Sequence, residues 1–145
     1  MATAVAILDD YQGIARDSGP WDRLGDAVAV TAFRDHVRDD DELAERLAPF
    51  EVVVAMRERT PFGAGRLERL PNLRLLVTTG MANASVDVAA ARRLGIVVSG
   101  TGGLASPAAE LTWALIFAVT RNVCAEDRRI PVSYTHLTLP TTPYV

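Results

Sequence analysis

Hydrophobic positions gather in five short runs: Ala4–Leu8 (AVAIL), Ala27–Phe33 (AVAVTAF), Glu51–Met56 (EVVVAM), Leu73–Thr78 (LRLLVT) and Ile96–Ser99 (IVVS). Most are near-continuously apolar, as strands are when both faces of a parallel sheet are covered. Helical spacing lies between them. Asp40–Leu47 (DDELAERL) opens with acids that suit the positive end of a helix. Pro61–Leu70 (PFGAGRLERL) opens on a proline at the first helical position and stops before Pro71. Ser85–Leu94 (SVDVAAARRL) takes Ser85 as its cap, carries arginines in its last turn, and meets Gly95 just past its end. The stretch Asp10–Gly25 is irregular, because Gly19–Pro20 interrupts it.

This alternation predicts an α/β fold, a parallel five-stranded sheet with helices on both faces. Right-handed crossovers make the flavodoxin-like order 2-1-3-4-5 the most economical topology. A longer helix follows, Pro107–Val123 (PAAELTWALIFAVTRNV), with Ser106 as cap and Pro107 first in the helix. It is apolar on most sides, so it is expected to project toward a second body. The texture then changes. Residues 131–145 (PVSYTHLTLPTTPYV) lack any Asp, Glu, Lys or Arg and hold three of the eight prolines. They are read as a non-native tail, similar to translated adapter read-through, and are set aside from the fold.

Charge narrows the partners. A net charge of −3 gives no basic field for a nucleic acid or an anionic membrane. All 15 basic side chains are arginine, which excludes a catalytic lysine. The single cysteine, Cys124, allows neither an internal disulfide nor a cysteine zinc site; no metal is expected, and Cys124 is read as a core residue. The apolar run Trp113–Val119 is too short for a bilayer, and the N-terminus lacks a signal-peptide pattern. A soluble cytoplasmic protein is expected.

In open parallel sheets, ligands bind beyond the carboxyl ends of the strands. That rule selects Asp9-Asp10-Tyr11, Arg57-Glu58-Arg59-Thr60, Thr78-Thr79-Gly80-Met81-Ala82-Asn83 and Gly100-Thr101-Gly102-Gly103. Guanidinium groups, hydroxyls and backbone N–H groups on one edge make a cradle for a small carboxylate or phosphate. The competing reading is that the arginines are solvated turn residues paired with Glu58 or Asp9. Two other patterns are set aside. ILDDYQ suggests the acidic pair of a receiver domain, but that chemistry needs an Asp after the third strand and a lysine. Gly100–Ala105 fits G-x-G-x-x-A, yet the helix starts beyond it, so a linker is the better reading. His36 lies in an acidic loop and His136 in the tail; neither has an evident partner for acid–base work, and both are read as solvated.

The segments VVVAMRERTPF, LPNLRLLVTTGMANASVDVAAARRLGIVV and SPAAELTWALIFAVTRN, with ILDDYQ, resemble the D-isomer-specific 2-hydroxyacid dehydrogenases, which include D-3-phosphoglycerate dehydrogenase. The likeness spans nearly all of residues 4–130. It implies an oxidoreductase that passes hydride between a 2-hydroxy or 2-keto acid and NAD (or NADP), with a flavodoxin-like substrate domain interrupted by a Rossmann domain. Residues 1–104 would be the substrate domain and 105–130 the crossover helix into the cofactor domain. Arg57, Glu58, Arg59 and Thr60 would approach the substrate, and the backbone of Gly80, Met81 and Ala82 would hold its carboxylate. Thr79, Ser106 and Ala108 would be cofactor-binding residues, with the first turn of the helix from Ser106 near the nicotinamide. The family's helix here lies in a subunit interface, so a homodimer is implied.

Two positions depart from the family: Ala82 stands where Gly is usual, tolerable if its φ is negative, and Ala84 stands where an acid is common. The catalytic histidine, its carboxylate partner, the anchoring arginine and the dinucleotide loop are all expected beyond this chain. It therefore carries no catalytic residue and is expected to be inactive and to bind no cofactor by itself. The alternative is a self-contained flavodoxin-like module that recognises a small anion without chemistry.

Overall fold

The structure, a computed structural model, describes residues 1–104 and 106–129. Five parallel strands, β1 (Thr3–Ile7), β2 (Val28–Ala32), β3 (Val52–Ala55), β4 (Leu75–Thr78) and β5 (Val97–Gly100), form one sheet in the order β2-β1-β3-β4-β5. This is the expected α/β topology. The register sets Ile7 beside Ala32 and Val54, Ala55 beside Thr78, and Thr78 beside Gly100. The strands therefore end nearly level, and their following loops leave side by side.

The first helix, α1, covers Asp40–Leu47 as expected; Asp39 caps it, accepting from the N–H groups of Asp41 and Glu42. The next two are shorter than their sequence patterns. Helix α2 (Ala64–Leu67) begins after Phe62, whose N–H donates to Ser85 O (2.7 Å) and whose carbonyl accepts from Asp87 N (2.9 Å). This isolated bridge between Phe62 and Val86 keeps both segments extended. It holds Pro61 outside the helix and moves the cap of α3 (Val88–Arg93) from Ser85 to Asp87, which accepts from Ala90 N at 2.8 Å. Long-range pairing has overridden two local start signals. Between β1 and β2 the chain makes only 3₁₀ turns, Trp21–Ala27, broken at Gly25.

The core lies on the sheet face that presents Ala6, Leu8, Val53, Ala55 and Leu76, against Leu43, Leu47, Phe62, Leu67 and Ala90. Phe62 and Leu76 are fully buried. Emptying a buried aromatic site such as Phe62 typically costs about 3–5 kcal/mol. On the other face Val52, Val54, Leu75 and Val77 are half-buried.

The chain divides at Gly103, and the part from Leu104 onward forms a separate unit. It contains α4 (Pro107–Thr120) and α5 (Val123–Arg129). Pro107 opens α4, but Ser106 is itself in helical backbone and makes no capping hydrogen bond, so the expected Ser106 cap is corrected. The expected single helix to Val123 ends at Thr120 because Asn122 turns left-handed (φ 54°). No residue of α4 or α5 is buried, and Cys124 is exposed; reading it as a core residue was wrong because α5 buries nothing. The readings of 131–145 lie outside the described residues. No helix among the described residues is long and apolar enough to cross a membrane.

Candidate functional site

The loops after β3 and β4 meet first at Arg57. Its backbone is left-handed (φ 56°), a conformation costly for a long side chain and typical of residues held at functional sites. Its N–H donates to Thr79 Oγ1 (3.0 Å) and to Ala55 O (3.1 Å), and its carbonyl accepts from Asn83 Nδ2 (2.7 Å). Asn83 also donates to Thr78 Oγ1 (2.9 Å), and its Oδ1 accepts from Ser85 N (2.9 Å). The side-chain amide of Asn83 thus fixes the turn that aims Arg57. Among the described residues no carboxylate pairs with the Arg57 guanidinium.

Gly80 is the neighbour of that guanidinium. A Cβ added there would lie 2.5 Å from Arg57 Nη1, and Gly80 already has φ 112°, so both space and backbone require glycine. The expected role of its N–H is corrected: it donates to Thr101 Oγ1 (2.8 Å), while Thr101 N donates back to Gly80 O (3.1 Å). The β5 loop consumes that donor. The N–H groups of Met81 and Ala82 have no protein acceptor among the described residues, so those two, with Arg57, remain for an anion. Ala82 is not among the residues with positive φ, which meets the condition for replacing glycine there.

Asp9 organises the other side. It is 1% exposed and left-handed (φ 56°). Its carboxylate accepts from His36 Nδ1 (2.8 Å), Thr60 Oγ1 (2.7 Å) and Tyr11 Oη (3.3 Å), and its backbone carbonyl accepts from Arg59 Nη1 (2.8 Å). His36 is exposed, as expected, but it is not unpartnered; β2 returns it to the end of β1, a pairing no local pattern announces. The Arg59 guanidinium also lies 4.6 Å over the Tyr11 ring. Partial desolvation, and then the Asp9 carboxylate, hold the Tyr11 phenol above its ordinary range, so it remains a donor. Asp10 is turned inward, accepting from the N–H groups of Ile14 and Ala15.

These groups enclose a cleft of about 250 Å³ lined by Asp9, Asp10, Tyr11, Gln12, Met56, Arg57, Arg59 and Thr79. Glu58 and Thr60 do not line it: Glu58 is exposed and Thr60 is buried against Asp9. A larger hollow of about 890 Å³ lies along edge strand β2, bordered by Trp21, Val28 and Val30, away from the carboxyl ends of the strands. The smaller cleft is the better candidate because the Arg57 and Arg59 guanidinium groups line it; Gly80, Met81 and Ala82 follow Thr79 in the chain and are not themselves part of its lining. Thr79 Oγ1 is engaged with Arg57 N; Ser106 and Ala108 are exposed in the second unit.

The G-x-G-x-x-A loop does not fit a dinucleotide. The first glycine of the G-x-G-x-x-A pattern, Gly100, is needed for packing, since a Cβ there would lie 2.8 Å from Gly80 O. The helix begins only at Pro107, which has no N–H to offer a phosphate.

Residues 5–140 match the family described as D-isomer specific 2-hydroxyacid dehydrogenase, catalytic domain. The chain belongs to the D-isomer-specific 2-hydroxyacid dehydrogenases. A phosphoglycerate oxidoreductase from Vibrio cholerae O395 is 42% identical, with a TM-score of 0.73 over 81% of this chain and 37% of its own. A protein assigned as a D-3-phosphoglycerate dehydrogenase from Ralstonia solanacearum is 32% identical, with a TM-score of 0.72 over 92% of this chain and 42% of its own. A glyoxylate reductase from Aeropyrum pernix is 42% identical over 62 residues, 42% of this chain and 18% of that protein. The chain thus spans less than half the length of these dehydrogenases.

Proposed function

We propose that this chain is the acid-binding portion of an oxidoreductase acting on the CH–OH group of D-2-hydroxy acids, with NAD or NADP as the hydride partner of the longer protein. The observation that carries this reading is the position of the Arg57 guanidinium beside Gly80, whose next two residues, Met81 and Ala82, have N–H groups with no protein acceptor among the described residues. A planar carboxylate accepts from a guanidinium on one side and from paired backbone N–H groups on the other. Family membership supplies the substrate class. The chain by itself is expected to bind a 2-hydroxy or 2-keto acid weakly, to bind no NAD and to turn nothing over. His36 donates toward Asp9 and does not line the cleft, so no histidine among the described residues faces the acid.

The test is titration of the isotope-labelled protein with glyoxylate. The amide signals of Met81 and Ala82 should move saturably, and Arg57→Ala should abolish the movement. Signals that stay fixed at high glyoxylate would refute the reading. Calorimetry with NAD should give no saturable heat; micromolar binding would overturn the expectation that the cofactor site is absent from this chain.

A further inference from the structure

We propose that Asp9 is a positioning residue that holds the Arg59–Tyr11 pair as a fixed wall of the cleft; the effect on acid binding rests on the reading above, whereas the positioning does not. The causal chain starts in the interior. Thr60 and His36 donate to a carboxylate that is almost wholly removed from water, and such a group is retained only when its hydrogen bonds are satisfied. Anchored in this way, Asp9 keeps its left-handed backbone, which short polar side chains tolerate better than others. That backbone aims its carbonyl outward to Arg59 Nη1, and its carboxylate takes the Tyr11 hydroxyl. Arg59 is then gripped at its tip from two directions, by a carbonyl at 2.8 Å and by a ring face at 4.6 Å.

Arg59 and Arg57 are two residues apart in the loop after β3 and leave on different courses. Arg57 stands over Gly80 and Arg59 over Tyr11. With Arg59 held, its donors not bound to Asp9 are presented to the cleft at no ordering cost when an acid enters.

The experiment uses Asp9→Asn, which keeps the side chain's shape but sets an amide NH₂ against one of the donors that anchor it, Thr60 or His36. In the ¹H–¹⁵N spectrum the Arg59 Nε–H signal should be distinct and slowly exchanging in the parent protein. In Asp9→Asn it should merge with the averaged arginine signals while that of Arg57 stays in place. Glyoxylate affinity should fall about tenfold, equivalent to losing one charge-assisted contact, with no further loss in the Asp9→Asn/Arg59→Ala double variant. An unchanged Arg59 signal, or additive losses in the double variant, would overturn the proposal. If the parent protein binds no glyoxylate, the functional reading falls, and the Arg59 signal alone decides the positioning. Should Asp9→Asn not fold, Thr60→Val should free Arg59 and Thr60→Ser should not; identical behaviour of the two would also overturn it.

Discussion

The side chain of Asn83 donates to the carbonyl of Arg57 at 2.7 Å, across 26 residues of sequence, and thereby holds that arginine in a backbone conformation it would not choose alone. The strain is local to one residue, and the hydrogen bonds that offset it come from the loop after β4. Aspartate in place of Asn83 would retain the contact with Ser85 N but could donate neither to Arg57 O nor to Thr78 Oγ1. We expect Asn83→Asp to lose about 1 kcal/mol of stability, the usual net worth of hydrogen bonds such as these, one exposed and one partly buried. Thermal unfolding checks this; a variant as stable as the parent would mean that Asn83 does not fix the turn.

Arg57 offers a separation of stability from binding. Arg57→Ala and Arg57→Gly both remove the guanidinium and should both abolish glyoxylate binding. Only glycine relieves the positive φ, so Arg57→Gly should be more stable than Arg57→Ala by about 1 kcal/mol. Denaturant midpoints of the two variants give the answer. Equal midpoints would show that the backbone relaxes without help.

Gly80→Ala combines a strained φ with a Cβ placed against Arg57 Nη1. A cost of about 1–3 kcal/mol is expected from the backbone, together with displacement of the Arg57 side chain. The amide signals of Met81 and Ala82 should shift in the free protein, and glyoxylate should bind less tightly. Unaltered binding would separate Gly80 from the site.

Acid should act through the arginine pairs around α1. The hydrogen bond from Arg46 lowers the pKa of Asp35, and that from Arg66 lowers the pKa of Asp40, each from an ordinary value of 3.8. A carboxylate depressed in the folded state contributes its full stabilisation above the unfolded value and loses it as pH falls through the folded one. Through these pairs, melting temperature should therefore not vary with pH near neutrality and should fall below about pH 4. Asp35→Asn should melt lower than the parent at pH 7 and converge with it in strong acid. Both carboxylates are exposed, so added salt should shrink the difference. A gap that persists at low pH would exclude ionisation of Asp35 as its cause.

Helix α4 leaves Leu111, Trp113, Leu115, Phe117 and Val119 exposed, more apolar surface than a free-standing module usually shows water. An acid-binding portion of a larger, dimeric enzyme should associate through this surface, and a self-contained module should not. Sedimentation is expected to show concentration-dependent association that Leu115→Arg or Phe117→Arg reduces. A strictly monomeric parent chain would favour the module.

Strand existence and order were legible in the sequence because apolar runs and their spacing are local properties that a parallel sheet must satisfy. Helix α1 was legible for the same reason: its cap, its acids and its apolar stripe all lie within nine residues, Asp39–Leu47. The loops carrying Arg57, Gly80 and Met81 followed from the rule that strand carboxyl ends face ligands. Local signals failed where a partner arrived from far along the chain. The bridge between Phe62 and Val86 delayed α2 and α3, and Thr101 took the N–H of Gly80.

By itself the sequence determined the class of fold, the edge on which the site is proposed and the absence of lysine from it. Tertiary structure alone decided which donors on that edge remain free, that His36 meets Asp9, and that Arg57 and Asp9 are left-handed. Periodicity is written residue by residue. The satisfaction of a buried carboxylate depends instead on side chains such as Thr60, 51 positions away from Asp9, that only the closed sheet brings within reach.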